Sequence, residues 1–142
     1  MLSALWIGTA VVACHQSAAT QSAAPSMSPA TIAQIYFWRA KPGKLDEYSR
    51  YIRDIAAPID DEARRAGAFI SVTTYLASDT LVPWTHMRVF LLRDSVQLRG
   101  LGAALNDAGV RVQPDSVKRR QQSEYSATLR DRVGAMVSTI VR

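Results

Sequence analysis

The sequence predicts an α+β domain in which a four-stranded antiparallel sheet carries helices on one face. Of its 142 residues 48% are hydrophobic, which is enough for one compact core. β-Branched and aromatic runs bounded by turn residues indicate strands. Between these runs, apolar residues recur at spacings of three and four, which indicates amphipathic helices. The expected element order is β-α-β-β-α-α-β.

The first strand is expected at Ile32–Ala40 (IAQIYFWRA), because this run is β-branched and aromatic and the turn-forming KPGK follows it. A long helix should come next, and Gly67 is placed to end it. Pro58 should kink or split this helix, because proline cannot donate the backbone hydrogen bond to Asp54. The apolar stripe expected to face the sheet consists of Leu45, Tyr48, Ile52, Ile55, Ile59 and Ala63.

The rest of the domain should contain a hairpin, two helices and a last strand. The two hairpin strands are separated only by a short turn region, so they should pair antiparallel. Asp94 is followed three residues later by Gln97, which is the capping-box spacing at a helix start. The expected elements are strands at Ala68–Ala77 and Trp84–Leu92, helices at Asp94–Gly109 and Pro114–Val133, and a strand at Met136–Arg142.

This element order is the split βαβ arrangement of ferredoxin-like folds, with the helices on one face of the sheet. The stretch IYFWRAKPGKLDEYSRYI, followed by AGAF and the central hairpin, resembles the dimeric α/β-barrel superfamily over most of Ile32–Arg142. The resemblance implies a homodimer whose two sheets form a barrel. It also implies that the enclosed space holds ligands, haem or cofactor-independent oxygen chemistry. Fold alone does not decide among these functions.

The first 31 residues differ in composition from the rest. Leu2–Ala13 is an uncharged apolar run with the length of a signal-peptide core, too short to span a bilayer as a helix. It ends in VVAC, which resembles the lipobox of bacterial lipoproteins, and Cys14 is the only cysteine. We therefore predict lipidation of Cys14 and a location in the bacterial cell envelope. The alternative is an apolar N-terminal helix packed on the domain, since no Lys or Arg precedes the run.

Three segments follow from these features. Residues 1–14 are predicted to be a lipoprotein-type signal. Residues 15–31 are rich in Ser, Ala, Gln and Pro and are predicted to be a flexible tether, because they offer too little apolar surface for a core. Residues 32–142 are the predicted domain.

Strand alternation divides the predicted sheet into two unlike faces. One is aliphatic and is expected to pack under the helices. The other is aromatic and polar, which is typical of a small-molecule site, although a dimer interface has a similar composition. The expected helix-facing residues are Ile35, Phe37, Ile70, Val72, Leu76, Met87, Val89 and Leu91. The expected opposite face carries Gln34, Tyr36, Trp38, Phe69, Ser71, Thr73, Tyr75, Trp84, His86, Arg88 and Phe90.

His86 and Arg88 are the candidate catalytic residues. The imidazole of His86 has the chemistry of a general base near neutral pH, and Arg88 can hold a carboxylate or stabilise an enolate or peroxide anion. A nearby cation also lowers a histidine pKa. The alternative is structural, with His86 hydrogen-bonded in the interior and Arg88 paired with a carboxylate. The candidate ligand-binding residues are Tyr36, Trp38, Thr73, Tyr75, Trp84 and Phe90.

Other chemistries lack the residues they need. The predicted domain has one His and no Cys, so neither a metal site nor a permanent cofactor is predicted. GLGAAL (100–105) lacks the third glycine of a dinucleotide fingerprint and falls within a predicted helix. The net charge of +5 comes from scattered basic residues and no RNP1 pattern is present, so nucleic acid is not a predicted partner.

Three functions remain open. The first is an exported, lipid-anchored envelope protein that binds a small aromatic or anionic molecule. The second is a cofactor-independent monooxygenase or isomerase that uses His86 and Arg88. The third is a non-catalytic protein-interaction module of the cell envelope. The sequence names no reaction, and a non-catalytic role is favoured.

Overall fold

The structure is a computed structural model that describes residues 29–141. The predicted signal segment, Cys14 and most of the predicted tether lie outside the described residues. Thr31, at the end of the predicted tether, already bonds to the sheet, because its backbone N–H donates to Leu92 O at 3.0 Å. Among the described residues, no helix combines the length and hydrophobicity needed to cross a bilayer.

Four strands form one antiparallel sheet in the order β2-β3-β1-β4. This order, with helices packed on one face, is a ferredoxin-like arrangement, and it confirms the predicted α+β class. The strands are β1 (Ile32–Ala40), β2 (Ser71–Leu76), β3 (His86–Leu92) and β4 (Arg130–Thr139). The helices are α1 (Leu45–Tyr51), α2 (Ala57–Arg65), α3 (Ser95–Val112) and α4 (Ser116–Leu129), with a π-helical turn (Ile52–Ala56) between α1 and α2.

The predicted long helix is present, with its interruption where proline requires one. Helix α1, the π turn and α2 are consecutive, and Pro58 lies in the first turn of α2. Because Pro58 has no N–H for an intrahelical bond, the turn preceding it departs from α-helical bonding. Helix α2 ends at Arg65, two residues before Gly67, which has φ of 80° and donates its N–H to Arg64 O at 2.9 Å. A left-handed residue of this kind is a common helix terminator.

Helix α3 starts at the predicted cap. Asp94 Oδ1 accepts from the backbone N–H groups of Val96 at 2.9 Å and Gln97 at 3.0 Å. The Gln97 side chain does not complete a capping box. Its Oε1 accepts from the backbone N–H of Arg93 rather than from that of the cap residue, Asp94. Its Nε2 donates to Gly67 O at 2.7 Å, so the start of α3 is joined to the end of α2.

The last strand begins earlier than predicted. Strand β4 starts at Arg130, not Met136, and α4 ends at Leu129. Arg130 pairs with Ala40 and, after it, Arg132 pairs with Trp38, so the charged residues extend the strand along β1. A register shift follows between residues 132 and 134, which marks a β-bulge.

The predicted assignment of the sheet faces is wrong for β1 and β3. Phe90 is buried in the core with Ala63 of α2 and Leu101 of α3, so its face lies under the helices. The face turned away from the helices is therefore the aliphatic one. Residues directly opposite in an antiparallel ladder share a face, and Tyr36 pairs with Arg88. The helix-facing set is Gln34, Tyr36, Trp38, His86, Arg88 and Phe90, joined by Phe69; the open-face set is Ile35, Phe37, Met87, Val89 and Leu91.

Strand β2 has the predicted phase but different neighbours. Thr73 pairs with Val89 and Tyr75 with Met87, so both lie on the open face among aliphatic residues rather than beside His86. Ser71 shares that face, and Val72 packs on the helix-side core as predicted. The aromatic and polar residues predicted to form one surface are therefore divided between the two sides of the sheet.

Candidate functional site

The candidate site is a cleft between the helices and the sheet, which we call the helix–sheet cleft. Its inner part has a volume of about 160 Å³ and includes three charged side chains in its wall. Its outer part, of about 250 Å³, lies between the π turn, α3 and α4 and includes Arg119 and Gln122. Tyr51, Ile59 and Arg130 line both parts, so the two are adjacent. The inner wall includes Tyr48, Tyr51, Ile59, Asp60, Arg88 and Arg130.

Arg88 and Asp60 form a buried ion pair across the cleft. Arg88 on β3 donates from Nη2 to Asp60 Oδ2 on α2, and the side chains are only 12% and 8% exposed. Burial raises the pKa of Asp60, and the Arg88 charge opposes that rise. The Nε–H of Arg88 is buried and has no partner among the described residues. The pair is thus held by a single bond instead of the two-bond fork that Arg and carboxylate often form.

Arg130 is a second cation in the cleft, and its partners are neutral. Its guanidinium lies 3.5 Å from the centre of the Trp38 ring. Nη1 donates to the Tyr48 hydroxyl and Nε to Ser126 Oγ, both at 2.9 Å. None of the ion pairs within residues 29–141 includes Arg130. Since Asp60 neutralises Arg88, Arg130 leaves the inner cleft with one unbalanced positive charge.

His86 lies beside this cleft but not in its wall. It is 2% exposed, and the Tyr48 ring meets it edge-on at 4.5 Å between centroids. Its Nε2 lies 3.0 Å from Ser49 Oγ and its Nδ1 2.9 Å from Thr85 Oγ1. Ser49 Oγ also donates to Leu45 O at 2.9 Å and Thr85 Oγ1 to Trp38 O at 3.3 Å, so both hydroxyls have a second acceptor, and a neutral ring with its single N–H donates to only one of them.

The charge state of His86 follows from these surroundings. Burial, with a smaller effect from the Arg130 charge, lowers the pKa of His86 to about 4. The imidazole is therefore neutral near pH 7, as a general base must be. Both ring nitrogens already have partners, so proton transfer to a ligand requires one contact to break. The catalytic roles of His86 and Arg88 stay predictions.

The predicted ligand-binding residues do not form one surface. Phe90 lies in the core, and Tyr36 contacts its ring edge-on at 5.9 Å. Trp38 lies under Arg130 and supports the cleft rather than lining it. Thr73 and Tyr75 lie on the open face of the sheet. Whether any of these residues contacts a ligand stays a prediction.

Of the named residues in the inner wall, only Arg88 was predicted as a site residue. Tyr48 and Ile59 were expected in the apolar stripe, and Tyr51, Asp60 and Arg130 were not singled out. Tyr51 had a weak signal, because it lies three residues after Tyr48 and so neighbours the predicted stripe, although it was not assigned to it. Asp60 had none, since a carboxylate beside Ile59 normally marks the solvated edge of an apolar stripe. Arg130 was not recognised as a site residue because it was predicted to belong to the helix at Pro114–Val133.

A larger cavity, of about 550 Å³, lies between the C-terminal end of β1 and the β2–β3 connection. Trp84 lines it and also contacts the Phe37 ring at 5.9 Å. Its charged residues are engaged elsewhere: Arg39 Nε donates to Pro83 O at 2.6 Å, and Asp79 Oδ1 accepts from Leu81 N at 2.8 Å. No buried charge lines this cavity, so we select the helix–sheet cleft as the candidate site despite its smaller volume.

Side chains that could bind a metal ion do not cluster in the part of the chain that the structure describes. Within residues 29–141, no group of three or more His, Cys, Asp or Glu side chains is arranged to hold a metal ion.

Comparisons with known proteins match the fold and not the sequence. No protein-family model matches the chain, and no curated protein does so. HapK from Hahella chejuensis is similar over 78% of this chain and 92% of its own, with a TM-score of 0.51 and 9% identity. PA3566 from Pseudomonas aeruginosa covers 82% of this chain and 97% of its own, with a TM-score of 0.47 and 15% identity. The likeness to HapK supports a ferredoxin-like α+β fold for this chain.

Proposed function

We propose that the protein binds a small organic anion, specifically an aromatic carboxylate, in the helix–sheet cleft. The observation that carries the proposal is the Arg130 guanidinium, which lines the cleft with no carboxylate partner among the described residues. The rings of Tyr48 and Tyr51 supply aromatic walls. The inner volume of about 160 Å³ is enough for one ring, since a cavity of about 150 Å³ in another protein binds benzene.

Arg130 has N–H donors that no described residue accepts from, and they are available to such a ligand. A guanidinium carries five N–H donors, and only Nε and one N–H of Nη1 are used by Ser126 and Tyr48. A carboxylate beside the remaining donors would form charge-assisted bonds, which are stronger where water is partly excluded. The unbalanced charge of the cleft therefore favours a monoanion.

Calorimetric titration with benzoate and with benzyl alcohol tests this function. We expect benzoate to bind and the neutral alcohol to bind at least tenfold more weakly, since a charged hydrogen bond is worth roughly 1.5–3 kcal/mol. Arg130→Met should remove this preference. Arg132→Met is the matched control, because Arg132 is on the same strand but contacts the Tyr36 ring outside the cleft. Absence of benzoate binding, or equal losses in both variants, would contradict the proposal.

An enzymatic function is the second candidate, and the neutral His86 favours it. The chemistry would be a cofactor-independent monooxygenase or isomerase reaction at the edge of the same cleft, where Arg88 is the anion holder and His86 acts as base once one of its two hydroxyl contacts breaks. Oxygen uptake and quinone formation with hydroquinone test the oxygenase form. His86→Gln should abolish turnover, while His15→Gln should not. Equal turnover of His86→Gln and the unaltered protein rejects the catalytic role.

We also propose that the protein is exported and anchored in the bacterial envelope by a lipid on Cys14. The support is the VVAC motif in the sequence. Cys14→Ser should release the protein from the membrane fraction of the cells, and Ser17→Ala should not. Membrane association that persists in Cys14→Ser would contradict the anchor.

A second copy of the chain is the proposed partner of the open sheet face. Ile35, Phe37, Met87, Val89 and Leu91 make this face apolar, and no helix of the described residues covers it. A self-complementary apolar face is what a two-fold dimer requires. The alternative partner is a different envelope protein, as expected of an interaction module.

A further inference from the structure

Asp60 gives the helix–sheet cleft a hydrogen-bond acceptor that anion binding by Arg130 does not use. Its Oδ2 accepts from Arg88, whereas its Oδ1 has no hydrogen-bond partner among the described residues. The side chain is 8% exposed and lies in the inner wall of the cleft. A ligand that fills the inner cleft would therefore displace water from this oxygen.

The nature of the ligand group that faces Asp60 follows from the charges. A buried carboxylate oxygen that loses water without gaining a donor carries a desolvation cost. Asp60 is already neutralised by Arg88, so a cationic group beside it would add an unbalanced charge to the positive charge of Arg130. A neutral N–H or O–H donor satisfies the oxygen without that penalty.

We infer that Asp60 is a specificity-determining residue, which selects, among aromatic carboxylates, those that carry a neutral hydrogen-bond donor on the ring. The inference rests on the proposed function, because Arg130 binds the carboxylate of the ligand while Asp60 accepts a hydrogen bond from the ring substituent. An alkyl substituent of the same size would leave Oδ1 desolvated and unpaired. The natural ligand class is therefore an amino- or hydroxy-substituted aromatic acid.

Pairs of probes that match in size separate this selection from simple anion binding. We would titrate the full-length protein with 3- and 4-aminobenzoate and with 3- and 4-methylbenzoate. The aniline nitrogen donates hydrogen bonds and carries no charge near neutral pH, whereas the methyl group has no donor. We expect at least one amino isomer to bind about tenfold more tightly than its methyl counterpart.

Asp60→Asn makes the test specific to this residue. Its amide oxygen can keep the bond from Arg88, which turns the amide N–H₂ toward the cleft. The amino probes then meet a donor in place of an acceptor, so their preference over the methyl probes should be lost. Asp61→Asn is the matched control, because Asp61 is the next residue and its side chain is 65% exposed. Thermal unfolding checks that both variants are folded.

The possible outcomes distinguish the two proposals. If none of the four probes binds the unaltered protein, the proposed function itself fails. If amino and methyl probes bind equally well, the cleft is an anion site and the role of Asp60 is overturned. Retention of the amino preference in folded Asp60→Asn also overturns that role. If Asp60→Asn does not fold, the comparison of amino and methyl probes on the unaltered protein still tests whether the cleft selects a ring donor.

Discussion

The Arg88–Asp60 pair lies in the wall of the candidate cleft and carries a structural cost. Two charges have been removed from water, and a single hydrogen bond joins them while Arg88 Nε stays unpaired. Buried pairs of this kind stabilise little relative to apolar residues, yet the loss of one partner leaves a buried charge. A site that carries an incompletely satisfied pair is more easily explained by ligand binding than by stability.

Removal of Asp60 should therefore be costly. We expect Asp60→Ala to lower the free energy of unfolding by roughly 3–5 kcal/mol, because Arg88 is left unpaired in the interior. Asp61→Ala removes only an exposed pair with Arg64 and should have little effect. Asp60→Leu combined with Arg88→Met should recover much of the loss. Urea unfolding measures all three, and similar midpoints for the two alanine variants would contradict the buried pair.

His86 predicts a specific acid sensitivity. Its pKa is about 4 in the folded protein against 6.5 for the ordinary side chain, so between these values the unfolded chain binds more protons. The stability that neutral His86 contributes is complete above pH 6.5 and is lost as the pH falls toward 4. Unfolding free energies measured across this range should fall more steeply for the unaltered protein than for His86→Gln. Parallel curves would mean that the imidazole is not buried in its neutral form.

At the scale of elements, the helical segment before β2 supplies most of the inner wall of the cleft. Ile52 packs against Tyr48 and Leu129, whereas the Arg53 side chain is 69% exposed. Ile52→Asp should destabilise the protein by several kcal/mol, because it buries an unpaired charge, while Arg53→Asp should be tolerated. Thermal unfolding compares the two. Equal tolerance would mean that the helix presents a different face to the sheet.

The element order and both faces of each central strand were predictable, but which face lies under the helices was not. Alternation separates Tyr36, His86 and Arg88 from Met87 and Val89 by local geometry alone. The orientation of the sheet was inferred from hydrophobicity, which assigns an aliphatic face to the core. In this fold the aliphatic face is open. Charged residues are accommodated beneath the helices because Asp60, 28 residues before Arg88, pairs with one of them.

The boundary between α4 and β4 shows a second limit of the sequence pattern. Helix α4 is polar on most sides, and only Ser126 and Leu129 are buried, so no apolar stripe marks its end. Arg130 and Arg132 have no strong strand preference. Their conformation is determined by pairing with β1, which is a contact distant in sequence. Arg130 was therefore missed as a site residue for the same reason that the strand start was missed.

At the scale of the whole molecule, the open face is the surface on which the proposed dimer depends. Met136 lies there, because it pairs with Ile35, and it is 47% exposed. If two copies join through this face, Met136→Asp should yield monomers in sedimentation velocity. Val117→Asp is the matched control, since Val117 is 49% exposed on α4 and remote from the face. A monomeric unaltered protein, or equal behaviour of both variants, would contradict the dimer.

Each of the two cavities has its own tryptophan, so fluorescence can tell which of them a ligand occupies. Trp38 stacks on Arg130 at the edge of the helix–sheet cleft, whereas Trp84 lines the larger cavity beside the β2–β3 connection. The chain has one more indole, Trp6, whose replacement by Phe leaves these two as the only strong emitters. Quenching that disappears in Trp38→Phe and survives in Trp84→Phe would locate a chromophoric molecule in the cleft by spectroscopy alone.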